Sequence, residues 1–508
     1  MRILPLIPTP RTSRRVEAGT IVDLARFGQI VEPDPKASYT ALLKGLVTEP
    51  TRVRMESAPG TIRLEWAELH RTDAYSLSIR DEEIVIRAAG HAGFVHGCAA
   101  VAQLCDHGGA LPEADIEDQP EYEWRGLTLD VARTAVTLGE LKRIIDLLCL
   151  YRMSMLHLHL TDDQAWRYRV PGWPGLTSGG LHYADDELRE LQAYAAARAV
   201  EVVFEADLPG HARAAIAAYP VLAEGVDATA QTDTLLPFTA PLDARRAPVA
   251  RFISDAVNAL ANFTAGRYLH IGGDEVFGAD EGIISASIAV SGAAAAAKGK
   301  RPVFWQEAAR STLPPGSVVQ HWVTPDMMGV PATESELAAS PIFSALPFTF
   351  EQVRTFARMY EQTKYDLERG LAQGASVLLS PQSHLYLDAP YDPAVVPESQ
   401  RGIAERLGLR IYRRHRTDTV LKWQRDAVDA PRDRVVGISA ALWCETVQDF
   451  DDLTTLLLPR LPAVAEQAWA LRPAPWSEFR ESLATQSRYW RRLGIAYMET
   501  TDVAWSPT

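Results

Sequence analysis

The chain has 508 residues, of which 47% are hydrophobic and 23% are charged, a balance typical of a globular protein large enough for more than one domain. Its formal net charge of −14 argues against nucleic acid or an anionic membrane surface as a partner, because both favour Lys and Arg. The sequence also predicts no membrane span, because apolar residues never run on uninterrupted for the length of a bilayer.

The N-terminus and the cysteines bear on the cellular compartment of the protein. Prolines interrupt the first apolar residues, Met1 to Pro10, before the core of a signal peptide could form. The cysteines are scattered without the spacing of a metal site or a disulfide framework; they are Cys98, Cys105, Cys149 and Cys444. We therefore expect reduced thiols in a cytoplasmic protein.

Residues 1–120 are predicted to form a small α/β domain. The segments Ala74–Ile79 and Glu83–Arg87 alternate between apolar and polar residues, which is typical of a β-hairpin. Gly93–Leu104 has a helical apolar face and is predicted to cover that hairpin. The acidic stretch Glu113–Pro120 is expected to be the linker to the remainder, residues 121–508.

Beyond Trp124, apolar β-prone segments alternate with helical patterns, which indicates βαβ units and a parallel sheet. Eight such strands predict a (β/α)8 TIM barrel with C-terminal helices. The predicted strands are Leu127–Ala132, Met155–Leu160, Val200–Glu205, Tyr268–Ile271, Pro302–Trp305, Val318–Trp322, Ser376–Leu379 and Val435–Trp443. The clearest predicted helices are Leu138–Tyr151, Asp185–Ala199, Val249–Phe263, Phe350–Leu371 and Leu453–Leu471. Two long connections, 323–374 and 389–434, are expected to carry helices of their own.

The fourth predicted strand stops at two glycines, and two adjacent carboxylates follow, Asp274 and Glu275. Acids at the carboxyl end of a parallel strand lie where α/β folds place their chemistry. An Asp after Gly can also be the N-cap of a helix, and that alternative stays open at this point. The acidic strand end of an ATPase is excluded, because it requires a phosphate loop and the Gly299-Lys300 pair is followed by Arg rather than Ser or Thr.

Chemistry-bearing residues also follow the other predicted strands. An enzyme with a barrel fold builds its site from such positions. Acids and Arg can satisfy sugar hydroxyls, and aromatic faces can cover the apolar face of a sugar ring. These residues are Arg133, Asp162, Asp163, Asp207, His211, Asp274, Glu275, Trp305, Trp322, Tyr386, Asp388, Trp443 and Glu445. Together they predict a sugar-binding site.

A metal site is the competing interpretation. His157 and His159 place two imidazoles on one face of a strand, as in zinc-dependent amidohydrolase barrels. Those barrels also need histidines on later strands and an Asp closing the last one, whereas the last strand here ends in Trp443-Cys444-Glu445. We therefore assign the two histidines to the barrel core, and expect no metal and no cofactor.

The sequence resembles the glycoside hydrolase family 20 β-N-acetylhexosaminidases from about residue 3 to residue 470. The first 120 residues resemble the N-terminal α/β domain of that family. The motifs that carry the resemblance are Trp124–Arg133, Leu156–Gln164, Glu205–His211, His270–Glu275, Tyr386–Asp388, Leu442–Glu445 and Pro459–Glu466.

The resemblance implies that Glu275 is the general acid and base. Asp274 would orient the 2-acetamido group of the substrate and offset the charge of an oxazolinium intermediate, and Tyr386 would donate a hydrogen bond to the acetamido oxygen. Asp162 and His211 match a supporting pair that tunes the acid.

The resemblance also implies how the sugar is held. Tryptophans would wall the acetyl methyl group, namely Trp305, Trp322 and Trp443. The residues matching the positions that bind sugar hydroxyls are Arg133, Asp388 and Glu445. The chain departs from the family at Thr134, where a His is common, and segment 323–374 looks expanded.

The implied activity is that of an exo-acting, retaining β-N-acetylhexosaminidase, with a glycan carrying terminal GlcNAc or GalNAc as its partner. Retaining glycosidases normally use two opposed carboxylates about 5–5.5 Å apart, and this family is a substrate-assisted exception. Adjacent residues such as Asp274 and Glu275 do not easily take opposed positions, which agrees with attack by the substrate's own amide. Two alternatives remain, a relative that releases a disaccharide, such as a lacto-N-biosidase, and a non-catalytic sugar-binding relative.

Overall fold

A computed structural model describes residues 4–15, 21–24, 27–33, 38–46, 60–105, 109–228, 240–276, 279–323, 331–340 and 349–506. The N-terminal part contains a six-stranded sheet in the order β1-β8-β5-β6-β4-β3 and a two-stranded sheet of β2 and β7. Its strands are β1 (Thr12–Arg15), β2 (Ile21–Asp23), β3 (Phe27–Val31), β4 (Gly60–Trp66), β5 (Tyr75–Ile79), β6 (Glu83–Ala88), β7 (Ala110–Pro112) and β8 (Ala114–Asp118). Its helices are α1 (Tyr39–Leu46) and α2 (His91–Leu104). The predicted hairpin, β5 with β6, and its covering helix are confirmed.

The predicted linker at Glu113–Pro120 is wrong. Most of it is strand β8, which pairs antiparallel with both β1 and β5. Ala114, Ile116 and Asp118 of this strand are buried, while the acids between them lie on the more exposed face. The acidic composition therefore marks the solvent side of a strand rather than a connector.

The C-terminal part is a closed barrel of eight parallel strands. The strands are β9 (Trp124–Asp130), β10 (Met155–His159), β11 (Glu201–Glu205), β12 (Tyr268–His270), β13 (Arg301–Trp305), β14 (Val318–His321), β15 (Ser376–Leu379) and β16 (Val435–Leu442). All eight predicted strands are confirmed, although β9 begins three residues earlier than predicted. Most of their residues are buried, because one face lines the barrel interior and the other meets the helices.

The helices that follow are α3 (Leu138–Leu150), α4 (Asp185–Ala196), α5 (Arg213–Ala218), α6 (Ala247–Phe263), α7 (Glu281–Ala297), α8 (Glu334–Ala339), α9 (Phe350–Thr363), α10 (Asp366–Ala372), α11 (Gln382–Leu385), α12 (Arg401–Arg406), α13 (Thr419–Lys422), α14 (Phe450–Leu457), α15 (Leu461–Trp469) and α16 (Trp476–Arg492). Two predicted single helices are each a pair. The first is interrupted between α9 and α10, and the second is interrupted at Leu458-Pro459, because Pro removes a backbone donor. None of the helices in the described ranges combines the length and apolar character needed to cross a membrane.

Both long connections carry helices of their own, as predicted. The first contains α8, α9 and α10, and its positions 324–330 and 341–348 lie outside the described residues. The second contains α12 and α13 with several short 3-10 turns.

A buried ion pair joins the N-terminal sheet to the barrel. Arg152, which follows α3, lies 2.9 Å from a carboxylate oxygen of Asp118 on β8. The guanidinium also donates to the Tyr75 hydroxyl at 2.7 Å and to the carbonyl of Pro8. Because every partner is buried and hydrogen-bonded, the pair fixes how the two sheets meet.

Candidate active site

A glycine turn after β12 places the two acids. Gly272 and Gly273 have φ angles of +78° and +100°, and a Cβ at Gly272 would lie 1.8 Å from Oδ1 of Asp207. No side chain fits there. The backbone N–H of Gly273 donates to the same oxygen at 3.0 Å, which ties the turn to the end of β11. The chain therefore turns sharply and leaves Asp274 and Glu275 at the mouth of the barrel.

The N-cap interpretation of Asp274 is wrong. The next helix, α7, is capped by Asp280, whose side chain accepts from the N–H of Ile283 at 2.9 Å. Glu275 has a φ of +43°, a left-handed conformation that non-glycine residues adopt rarely and that clusters at functional sites. Its side chain remains 22% exposed.

Asp274 lies in a nearly dry environment beside a second carboxylate. It is 7% exposed, and burial followed by the charge of Asp207 raises its pKa well above the usual range for Asp. Burial likewise raises the pKa of Asp207. Two buried carboxylates in contact hold one proton between them, so one negative charge remains on the pair for a cation that develops beside Asp274.

His211 stands between two acids. Its Nδ1 lies 3.2 Å from Oδ1 of Asp162, and its Nε2 lies 3.7 Å from Oε2 of Glu275. Burial alone would lower the pKa of His211, but the charges of Asp162 and Asp207 raise it well above its usual range. Burial would raise the pKa of Asp162, but Arg133 and His211 hold it well below its usual range. The geometry therefore favours an imidazolium at His211.

Glu205 lies in the barrel interior at the centre of three imidazoles. Its Oε2 is 2.6 Å from Nδ1 of His159 and 3.0 Å from Nε2 of His157, and its Oε1 is 2.9 Å from Nδ1 of His270. The same Oε1 accepts a hydrogen bond from Trp305. The other nitrogen of His159 reaches Asp162 at 2.9 Å, so polar contacts run from the barrel core to the supporting pair.

The two predicted core histidines both lie in the interior, but they differ in charge. Burial and the neighbouring His270 lower the pKa of His157 to about 4. Burial would also lower the pKa of His159, but Glu205 and Asp162 raise it well above its usual range. Several histidine and carboxylate groups here have ligand atoms within 4.8 Å of one another. Both oxygens of Glu205 are bound by protein groups, whereas Nε2 of His157 and Nε2 of His270 make no hydrogen bond among the described residues. The absence of a metal therefore stays a prediction.

The predicted tryptophans and Tyr386 form one aromatic cluster. Trp322 and Tyr386 stack with their ring centroids 6.0 Å apart and their planes 8° apart, and Trp443 lies 6.1 Å from Tyr386. Trp305 is fully buried beneath them. Burial raises the pKa of Tyr386, and Tyr412 and the charge of Asp274 contribute, so the phenol is neutral.

The predicted hydroxyl-binding residues lie near one another and beside Trp443 of the aromatic cluster. Arg133 is 2.9 Å from Asp162 and 3.4 Å from Glu445, and its guanidinium lies 5.4 Å from the ring centre of Trp443. Asp388 is 1% exposed, and neither of its oxygens has a hydrogen-bond partner among the described residues. Such an orphaned buried carboxylate is expected to accept hydrogen bonds from a ligand.

Sequence reasoning missed several residues that complete the site. Glu205 belonged to a motif of the resemblance without a role of its own, although its place at the end of β11 was a usable signal; Asp207 was among the predicted site residues, but its contact with Asp274 was not foreseen. Glu307 accepts from the indole N–H of Trp322 at 3.0 Å, and burial raises its pKa to about 8. It lies on a short 3-10 turn after β13, and no pattern marks it. Thr134, the departure from the family, donates to the carbonyls of Cys444 and Val447 and so ties the loop after β9 to the loop after β16.

A closed parallel barrel with acids and aromatic rings at its carboxyl-terminal mouth defines a (β/α)8-barrel enzyme. Residues 122–472 match the model of the glycosyl hydrolase family 20 catalytic domain, and residues 4–119 match domain 2 of the same family. The chain belongs to glycosyl hydrolase family 20.

Relatives agree along nearly the whole length. A β-N-acetylhexosaminidase of Cellulomonas fimi is 34% identical over 487 residues, which cover 91% of this chain and 88% of that protein. The structure of the family 20 β-N-acetylhexosaminidase from Streptomyces coelicolor A3(2) superposes with a TM-score of 0.82 at 29% identity, covering 100% of this chain and 99% of the other. A mutant Streptomyces plicatus β-hexosaminidase in complex with GlcNAc gives 0.81 at 29% identity, covering 100% and 98%.

Proposed function

We propose that this chain is an exo-acting, retaining β-N-acetylhexosaminidase that removes terminal β-linked GlcNAc or GalNAc from glycans. The carrying observation is the Gly272-Gly273 turn, which presents a buried acid, Asp274, beside an aromatic cluster and a more exposed acid, Glu275, at the open side. A sugar with a 2-acetamido group fits these two acids. Its amide can interact with the buried Asp274, away from water, and its glycosidic oxygen can receive a proton from Glu275.

In the first step, the acetamido oxygen of the substrate attacks the anomeric carbon while Glu275 protonates the departing oxygen. The bond to the leaving group breaks, and a cyclic oxazolinium ion forms. Asp274 holds the amide N–H and offsets the positive charge that develops on it, and Tyr386 donates a hydrogen bond to the attacking oxygen. That charge exists only in the transition state and the intermediate, so the interaction accelerates the reaction rather than only tightening binding.

In the second step, Glu275 accepts a proton from water, which attacks the anomeric carbon and opens the ring with net retention. His211 lies near enough to Glu275 for its charge to act on the carboxylate. Asp162 and the buried network behind it would keep that imidazole charged, so we assign both as positioning residues.

The remaining site residues are assigned to binding. Trp322 and Trp443, with Trp305 beneath them, would enclose the acetyl methyl group, because apolar faces exclude water from the reacting amide. The sugar hydroxyls would be bound by Arg133, Asp388 and Glu445.

Two further proposals concern the whole chain. We divide it at residues 120 and 121, because β8 ends at Asp118 and the first barrel strand begins at Trp124. Four buried cysteine thiols are consistent with a cytoplasmic location, where thiols stay reduced.

The test compares nitrophenyl β-N-acetylglucosaminide with the matching β-glucoside, which has a hydroxyl in place of the acetamido group. We expect turnover of the first and essentially none of the second, because the glucoside carries no nucleophile. Comparable turnover of both, or a sugar trapped covalently on a carboxylate of the protein, would contradict the proposal.

A further inference from the structure

A groove of about 870 Å³ lies in the connection that follows β15. Its floor is mostly apolar and includes Tyr391 and Val396, while arginines stand around it, namely Arg401, Arg410, Arg413 and Arg414. These four arginines share the groove with a single acid, Glu405, in a chain whose net charge is −14. The other two arginines of residues 401–416 lie beside carboxylates, Arg406 with Asp452 and Arg416 near Asp392 and Asp502. The groove is therefore a concentrated positive region on an acidic protein.

Three of these arginines have no carboxylate partner among the described residues. Arg413 and Arg414 are exposed, and Arg410 donates only to the carbonyl of Glu405 at 3.1 Å. By contrast, Arg401 on the same rim pairs with Glu398 at 3.0 Å. Guanidinium groups without an internal partner are available to a bound anion, which they can contact through paired hydrogen bonds.

Residues 401–416, the segment that carries these arginines, are anchored next to the active site. Gly408 has a φ of +92°, and a Cβ there would lie 2.7 Å from Cα of Pro390 and 2.9 Å from the carbonyl oxygen of Asp388. The N–H of Leu409 donates to that carbonyl, and the N–H of Gly408 donates to Oγ1 of Thr446, both at 2.9 Å. The arginines therefore lie on a loop that is anchored to Asp388 and to Thr446, the neighbour of Glu445; Asp388 and Glu445 are both assigned to sugar binding.

Tyr412 connects the groove with the pocket. It lines the groove, and its ring packs edge-on against Tyr386 with 5.9 Å between the centroids. Burial raises the pKa of its hydroxyl, with further contributions from the charges of Asp388 and Glu445. The groove therefore begins where the wall of the pocket ends.

We propose that this groove binds an anionic group, a carboxylate or a sulfate ester, on the sugar to which the terminal N-acetylhexosamine is attached. The inference rests on the proposed function and names its substrate class as acidic oligosaccharides. An exo-acting enzyme encloses only the terminal sugar, so the next sugar leaves the pocket on the side of Glu275. Tyr412, which lines the groove, lies within range of the charge of Glu275, so the groove borders that side. The apolar floor provides the surface on which that sugar would lie.

The test measures kcat/KM on matched disaccharides. One pair joins β-linked GlcNAc to glucuronic acid or to glucose, which differ only in a carboxylate, and a second pair joins it to galactose 6-sulfate or to galactose. We expect the acidic member of at least one pair to be preferred about tenfold at low salt, the usual worth of a charge-assisted hydrogen bond, with the preference falling as salt is added. Preference in one pair only would identify the anion.

The double variant Arg413→Ala/Arg414→Ala should bring the ratio of acidic to neutral substrate close to one. Arg432→Ala is the matched control, because Arg432 lies in the same connection, pairs with Asp426 at 3.2 Å and does not line the groove. Should the double variant not fold, Arg410→Gln serves in its place. Equal kcat/KM in the wild type, or a preference that survives the arginine changes, would overturn the inference while turnover of the nitrophenyl substrate leaves the proposed function standing. Failure to hydrolyse the nitrophenyl substrate would instead show that the proposed function itself is wrong.

Discussion

The imidazole of His211 lies against the carboxylate of Asp162, with 3.2 Å between Nδ1 and Oδ1. The opposite nitrogen of the same ring is 3.7 Å from Glu275, beyond a direct hydrogen bond but within range of its charge. The ring therefore separates a buried acid from the exposed acid at the barrel mouth. This arrangement makes the charge of the imidazole depend on Asp162.

Replacing Asp162 should change the pH profile more than the fold. Burial lowers the pKa of His211, and Asp162 is the first charge that raises it, so Asp162→Asn should lower that pKa. If the imidazolium supports Glu275, the alkaline limb of kcat/KM moves to lower pH. Asp255→Asn is the control, since this carboxylate lies on α6 and accepts from the indole N–H of Trp173 at 3.0 Å. An unchanged alkaline limb would show that His211 does not act through its charge.

Removing the proton donor should matter most where the leaving group needs a proton. Glu275→Gln is expected to reduce kcat/KM, which reports the first step, by about 10²–10⁴-fold on alkyl or sugar leaving groups, the usual worth of a positioned acid. Nitrophenyl substrates, whose leaving group is already acidic, should lose much less in the first step. Steady-state kcat/KM values on both classes of substrate test this. Equal losses of kcat/KM on both would contradict the assignment of Glu275 as the proton donor.

The negative charge at Asp274 should strengthen the binding of molecules that mimic the intermediate. A stable thiazoline analogue of the oxazolinium ion is expected to inhibit the wild type far more tightly than free N-acetylglucosamine does. Asp274→Asn should weaken thiazoline binding by about 10- to 100-fold, because an amide cannot supply the negative charge. Inhibition constants for both ligands give the answer. Equal weakening of both would mean that Asp274 only shapes the pocket.

Chelation should not affect the activity. The two oxygens of Glu205, the carboxylate at the centre of the histidine cluster, are already bound by His159 and Trp305. Prolonged EDTA treatment followed by dialysis is therefore expected to leave the rate unchanged. Loss of activity that zinc restores would revive the metal interpretation of His157 and His159.

Glu307 should make stability depend on pH. Burial raises its pKa from 4.5 to about 8, so the folded state binds this proton more tightly than the unfolded state does. The free energy of unfolding therefore falls as pH rises from about 4.5 towards 8, because the unfolded carboxyl ionises first. Glu307→Gln keeps an acceptor for Trp322 and should stabilise the protein by about 1–3 kcal/mol near pH 8. Denaturant unfolding at pH 5 and pH 8 measures this, with the exposed Glu68→Gln as control.

The sequence by itself determined the order of the barrel and the positions of its chemistry. Strands buried on both faces appear in the sequence as apolar runs, and the run Tyr268–Ile271 is followed by two glycines, which indicate a tight turn. The residues at the strand ends could be collected because parallel strands all end at one mouth.

Local composition misled the sequence analysis at element boundaries. The acids of β8 looked like a linker, because the strand pairing that buries the alternate residues lies far away in the chain. Pro459 was included in one long helix, although the backbone has to break there.

Only the tertiary structure determined the pKa values of the buried groups and the place of the arginine-lined groove. The order of residues cannot reveal that Glu205 meets histidines from two other strands, or that Glu307 meets Trp322. Nor does it reveal that Gly408 anchors a run of arginines beside Asp388. A pKa and a binding surface depend on burial and on neighbours several ångströms away, and folding alone brings those neighbours together.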